Sequence, residues 1–211
     1  MKGLLSLLKW SDRSGKPAHE HADSALFSTA FASQGVDGAM LVPWEARAVE
    51  VGAKRLPTSR GGKLLQSLWA KDKYMAHLDK DAVDRMERFF QFASISSSRD
   101  VIRQDEYGNF MVVLLTGTIA VDRLQPWGEQ LRLAETRPGD ILGEMSLLDS
   151  GIRFSTCTTL TDCEIAVLGA EGMDDMMGKD PQLAASLVAL LARKLSLRLR
   201  TVSARLTDHP K

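Results

Sequence analysis

At 211 residues the chain can hold one domain with a sizeable core plus an appendage. Its 27 basic and 27 acidic side chains cancel, so it lacks the positive surplus that phosphate-backbone binding draws on, and nucleic acid is not the expected partner. Cys157 and Cys163 share one apolar stretch and read as reduced core residues, and the apolar cluster at residues 4–10 is too short for a membrane span or an export signal. These features point to a cytoplasmic protein with no stable membrane anchoring.

Residues 1–62 read as an irregular N-terminal extension, punctuated by Gly15, Pro17, Gly35, Gly38, Pro43, Pro57 and Gly61-Gly62, in which the short apolar pieces Ala25-Leu26-Phe27 and Trp44 to Val49 suggest helical turns. Leu4, Leu5, Leu7, Leu8 and Trp10 there predict a turn or two packed on the domain, or offered to a partner. His19 and His21 lack a third ligand nearby, and no metal site is expected. From 63 to 92 the apolar period becomes helical, through Leu64, Leu65, Leu68 and Trp69 and then Val83, Met86, Phe89 and Phe90, with Asp79 or Asp81 as N-cap of the second run.

Between about 99 and 168 the pattern changes to short apolar or alternating runs, at 101–102, 110–115, 118–121, 131–133, 141–142, 157–160 and 163–168. Turn formers separate them: Tyr107-Gly108-Asn109, Thr116-Gly117, Pro126-Trp127-Gly128, Pro138-Gly139-Asp140 and Ser150-Gly151. About eight strands with no intervening helix predict a mainly β fold, as a sandwich, jelly roll or barrel. Helices return over 170–207. A short one ends near Gly178, and a long one starts at Pro181 and carries Leu183, Leu187, Leu190, Leu191, Leu195, Leu199, Val202 and Leu206. Its stripe drifts around the axis, which suggests two contacts, one with the barrel and one with a partner helix.

The chemistry concentrates in Gly143-Glu144-Met145-Ser146-Leu147 and in Arg153-Phe154-Ser155, with Arg153 nine residues after Glu144. A glycine-led turn after a strand can aim backbone amides at one point as an anion nest. An arginine beside such a nest suits a singly charged phosphate, and Glu144 suits sugar hydroxyls. Together they fit a nucleotide whose phosphate lies near a ribose hydroxyl. Nothing here supplies a nucleophile with a base and an orienting partner, so no enzyme is expected.

These residues resemble the cyclic nucleotide-binding domain family, whose phosphate-binding cassette reads glycine, glutamate, an apolar residue, alanine or serine, leucine, then arginine nine or ten residues on. The resemblance runs from about 80 to 206 and includes Pro138-Gly139-Asp140 and Leu160-Thr161-Asp162. It implies a double-stranded β-helix, a jelly-roll-like β-roll, closed by the long C-terminal helix, within one domain over 63–211. It implies further that Glu144 accepts the ribose 2′-hydroxyl and that Arg153 pairs with the exocyclic phosphate. Backbone amides near Ser146, Phe154 and Ser155 would complete the phosphate shell, and Val121 and Leu133 would wall the pocket. Ser196 or Thr201 would meet the base edge. Two departures stand out: Phe154 occupies a position that is small in most members, and the loop at 105–109 is short.

The expected function is regulatory and non-catalytic. A cyclic nucleotide, cAMP ahead of cGMP, is bound without any cofactor and is signalled through the C-terminal helix to a protein effector, with that helix also forming a homodimer seam. The alternative is a ligand-free interaction module whose pocket Phe154 has altered. Catabolite activators continue past the long helix into a helix-turn-helix domain, for which a chain ending at Lys211 leaves no room.

Overall fold

The computed structural model describes residues 25–72, 75 and 80–207. The predicted turn at residues 4–10, His19, His21 and Asp79 lie outside them.

Within the extension, residues 25–57 carry α1 (Leu26–Ser33), a single 3-10 turn at Gly38–Met40, α2 (Trp44–Glu50) and the two-residue strand β1 (Lys54–Arg55), with α1 and α2 at the two apolar pieces that suggest helical turns. Helices of seven or eight residues do not stand alone in water; tertiary contacts hold these. The Asp174 carboxylate accepts the N–H groups of Phe27 and Ser28 at 2.8 Å each and so caps α1 from a distant helix. Phe27, Phe31 and Trp44 are buried, and Trp44 meets Phe110 edge-on at 5.6 Å between ring centres.

The lead-in is α3 (Thr58–Trp69) and α4 (Lys80–Met86), followed by a 3-10 turn at Glu87–Phe89. Thus α3 begins before residue 63, and Asp81 lies within the first turn of α4. The sheet also starts earlier than about residue 99, because β2 spans Gln91–Ile95. Phe89, Phe90, Phe92 and Ala93 fit a helical phase as well as an extended one. Pairing decides: β2 lies antiparallel to the strand at 163–169 over five residue pairs.

The remaining strands are β3 (Asp100–Ile102), β4 (Phe110–Thr116), β5 (Ile119–Leu124), β6 (Gln130–Glu135), β7 (Ile141–Leu142), β8 (Thr156–Thr159) and β9 (Cys163–Gly169), with α5 (Glu144–Asp149) between β7 and β8. The chain ends in α6 (Ala170–Lys179) and α7 (Pro181–Thr207). Two antiparallel sheets result, in the orders β1-β2-β9-β4-β7 and β3-β8-β5-β6. This is the β-roll with flanking helices that the strand spacing and the resemblance imply.

β4 explains the layering. Met111, Val113 and Leu115 face a helical layer with Leu65, Trp69, Met173, Leu187 and Leu191, whereas Phe110, Val112 and Leu114 face the space between the sheets with Ile119, Cys157 and Ile165. Burial on both sides is why this strand is continuously apolar instead of alternating. Cys157 and Cys163 are both free and buried. In α7 the early residues Leu183, Leu187, Leu190 and Leu191 are buried, while Leu199 is 67% and Val202 52% exposed.

Candidate functional site

The site begins at the N-cap of α5. Gly143 has φ +75°, and a Cβ there would lie 2.6 Å from Nη1 of Arg153 and 2.8 Å from Cδ1 of Ile102. Both the left-handed backbone and the close approach require glycine. The first helical residue, Glu144, is 3% exposed. Its carboxylate pairs with Nη1 of Arg198 from α7, and Nη2 of Arg198 donates to the Ile141 carbonyl at 2.7 Å. Burial pushes the Glu144 carboxyl above the usual carboxylate range, against the opposing pull of Arg198, its own amide and Arg153.

Arg153 is also 3% exposed. Nη1 donates to the Gly143 carbonyl and Nη2 to the Phe110 carbonyl, both at 2.7 Å, and the guanidinium stands 4.7 Å from the Phe110 ring centre. Gly108 makes room on the other side, since a Cβ there would come within 2.6 Å of Nη2. Burial lowers the Arg153 pKa to about 10, which leaves it charged at neutral pH. The same burial pushes the neighbouring Cys157 thiol up to about 12, so this cysteine is an inert core residue. The backbone of Arg153 is held by a two-way exchange: its N–H donates to the Glu106 carbonyl at 2.7 Å, and the N–H of Asp105 donates to its carbonyl at 2.9 Å.

The fold therefore brings Gly143, Glu144 and Arg153 together, but Glu144 pairs with Arg198 and not with Arg153. Ser146 is buried in α5, and Met145 is 45% exposed on its outer side. The Phe154 ring is 51% exposed under the guanidinium of Arg123, which sits 3.9 Å from the ring centre and donates to the Phe154 carbonyl at 2.5 Å. Held there, the ring does not fill the interior of the roll. Ser155 is partly buried just before β8. Val121 packs on the inter-sheet core, but a bulge separates it from Leu133. Val121 pairs with Ala134 and Asp122 with Arg132, so Leu133 is the extra residue and is 39% exposed. Ser196 and Thr201 are exposed on α7, and the Thr201 hydroxyl donates to the Leu197 carbonyl.

Sequence reasoning missed three residues of this site. Arg198 is one of several basic residues in the C-terminal half of the long helix, and nothing in its spacing singles it out. Arg47 lies in a short piece that suggests a helical turn, with nothing to mark it for the site. Phe110 reads only as a strand residue, although its carbonyl and ring both hold Arg153. Chemically, the arrangement offers a buried cation for an anion and, at the start of the short helix before it, a carboxylate for a hydroxyl.

Residues 94–180 match the family model of the cyclic nucleotide-binding domain. That match falls on the segment that carries the resemblance read from the sequence. The cassette, Gly143 to Arg153, lies wholly inside it. A cyclic AMP receptor protein of Thermus thermophilus is 30% identical over 118 residues, which are 56% of this chain and 55% of that protein. A CRP-like cAMP-activated global transcriptional regulator of Mycobacterium tuberculosis is 24% identical over 56% of this chain and 53% of its own length. The chain thus spans about half the length of the curated relatives it matches. Among solved structures, a cyclic nucleotide-binding domain from Methylobacillus flagellatus has a TM-score of 0.69 at 20% identity, covering 75% of this chain and 90% of that one. The Thermus thermophilus catabolite activator protein has a TM-score of 0.55 at 29% identity, covering 63% of each chain. Both share the β-roll. Arg198 and the strap at 25–57 lie outside the family segment. No helix among the described residues is long and apolar enough to cross a membrane.

Proposed function

We propose that this cyclic nucleotide-binding domain is a non-catalytic regulatory module. It binds a cyclic nucleotide, cAMP in the first instance, with the phosphate on Arg153 and the ribose 2′-hydroxyl on Glu144. The observation that carries the reading is the pair itself. Two ionic side chains nine residues apart in sequence are both buried, Glu144 at the start of α5 and Arg153 in the loop after it, reaching back to the Gly143 carbonyl, where a charge without a compensating partner is costly. An anion bound beside Arg153 offsets its burial, so occupancy stabilises the native state.

The output runs through α7. Arg198 joins Glu144 to that helix, and a nucleotide that engages Glu144 changes what Arg198 holds. Differential affinity for two α7 positions then shifts their populations. An effector protein, or a second copy of the chain along α7, reads the change. The balanced net charge of the chain as a whole favours a protein partner over nucleic acid.

A second reading has its own support. Arg153 already gives two donors to the Gly143 and Phe110 carbonyls, and Glu144 is engaged by Arg198, so the site is internally satisfied. On this reading the domain is a ligand-free interaction module. Thermal unfolding and titration calorimetry with cAMP, cGMP and cyclic dinucleotides separate the two. A ligand at about a hundred times its Kd adds ~2.7 kcal/mol. Arg153→Ala, which removes a charge-assisted contact of ~1.5–3 kcal/mol, is expected to weaken binding roughly 10- to 150-fold. Absence of any shift in ligand-stripped protein would establish the second reading.

A further inference from the structure

Residues 25–57 precede the family segment, yet they run along the back of the cassette. Nε2 of Gln34, just after α1, donates to the Asp149 carbonyl at the end of α5 at 3.0 Å. The Val42 N–H donates to the Tyr107 carbonyl at 2.9 Å, and Tyr107 is in turn bridged to Ile152, the neighbour of Arg153. From α2, Arg47 reaches inward and is 1% exposed.

A cation so deeply buried requires partners, and Arg47 has two: Oε2 of Glu50 at 2.6 Å, and the carboxylate of Glu106. Glu106 is the residue whose carbonyl receives the Arg153 N–H. The two arginines also line one small space with Arg103, Glu106, Tyr107 and Gly108, and Nε of Arg47 is buried with no hydrogen-bond partner. Glu106 therefore shares one space with the Arg47 and Arg153 side chains. Its carboxylate is committed to Arg47, with Arg103 4.0 Å from its other oxygen, so it does not compete for the donors of Arg153.

We propose that Arg47 is a positioning residue for the anion site: it holds the Glu106 carboxylate away from Arg153 and fixes the loop on which the Arg153 backbone rests. The N-terminal strap thereby sets the affinity of a cassette to which it contributes no ligand contact. This rests on the cyclic nucleotide reading for its affinity arm and on geometry alone for its backbone arm. If Arg47 is removed, the Glu106 carboxylate keeps only the half-exposed Arg103 and is free to turn across the shared space to the buried Arg153, where it excludes an anion. If Glu106 is neutralised as well, the competitor is gone.

The test uses the full chain and four variants: Arg47→Met, Arg47→Lys, Glu106→Gln and the Arg47→Met/Glu106→Gln double. Calorimetry reads cAMP affinity, and hydrogen exchange in the absence of nucleotide reads the Asp105 and Arg153 amides. Arg47→Met is expected to weaken cAMP at least about tenfold, equivalent to ~1.4 kcal/mol, and to speed exchange at those two amides while leaving β9 unchanged. Arg47→Lys keeps the charge on Glu106 and retains affinity to within about threefold, and the double variant recovers most of the loss. A role limited to filling space predicts the same loss for Lys and Met and no recovery in the double. Either of those results, or unchanged exchange in Arg47→Met, overturns the proposal. If the wild-type chain takes no cyclic nucleotide, that reading falls by itself, and the exchange of the Asp105 and Arg153 amides still decides whether Arg47 positions the loop.

Discussion

Glu144 is a carboxylate that the fold has removed from water and then only partly compensated. Burial is the largest influence on it, and Arg198, its own amide and Arg153 together fall short of cancelling it, so its pKa is raised. A group with a raised folded-state pKa contributes stability that is present below the ordinary carboxylate range and is lost as pH rises through the raised value. At neutral pH the native state therefore carries the cost of a buried charge. Glu144→Gln keeps the shape and removes that cost. The abandoned partner, Arg198, is half exposed and can turn to water. The ligand-free Gln variant is thus expected to melt above wild type by about one to a few degrees near pH 7, with the gap closing as pH falls toward 4.5. Melting curves across that range check this, and a Gln variant that melts below wild type near pH 7, with the deficit shrinking toward acid, would show that the pair, not the burial, dominates. The spacing of Glu144 and Arg153 was legible in the sequence because one short helix and the loop after it bring Arg153 back to Gly143. Arg198 was not, because its meeting with Glu144 depends on how a helix more than fifty residues away is docked.

At the scale of elements, strands were the easiest to read and short helices the hardest. β4 and β9 announce themselves as unbroken apolar runs because both of their faces are covered. β2 did not, since its apolar residues continue the phase of the preceding turn and only pairing with β9 settles its conformation. α1 and α2 are stable only through Asp174, Phe31, Trp44 and Arg47, none of which forms a local pattern. The coupling of elements is what the domain needs for signalling, and Arg198 is where α5 and α7 meet. Its two bonds, to Glu144 and to the Ile141 carbonyl, anchor a helix that beyond Leu195 is largely exposed. With Arg198→Ala, amides at 195–204 are expected to exchange faster in the ligand-free chain, because local opening is easiest where few buried contacts resist it. The same substitution should erase the difference that cAMP makes to those amides while leaving its affinity within about tenfold of wild type, since Arg198 is proposed to relay occupancy rather than to bind ligand. Hydrogen exchange by mass spectrometry reads both effects. A cAMP response that survives in Arg198→Ala would move the relay elsewhere, to the strap or to β6.

For the whole molecule, α7 has more apolar surface than one β-roll can use. Val188, Ala192, Leu195, Leu199 and Val202 recur at alternating steps of four and three residues, the spacing of a two-helix seam. The residues that bury α7 on its own domain, Leu183, Leu187, Leu190 and Leu191, lie along a different line and end a turn before Leu195. Val188 at the head of the second stripe still packs on the domain's own core, but its C-terminal end is uncovered, with Leu199 67% and Val202 52% exposed, and we propose that this end serves a second partner. Pairing of two such helices across a two-fold axis covers the same stripe on both copies and needs no further surface. Leu199→Glu with Val202→Glu places like charges opposite each other in that seam, while touching nothing in the core of either roll. Sedimentation velocity is expected to find wild type as a concentration-dependent dimer and the double-Glu variant as a monomer, with the melting temperature of the individual domain little changed. Because the seam and the Arg198 contact share one helix, cAMP should alter the dimer dissociation constant, and by linkage dimerisation should alter cAMP affinity by the same factor. A dimer whose dissociation constant is indifferent to cAMP would separate α7 assembly from the cassette and leave Arg198 as a structural clasp.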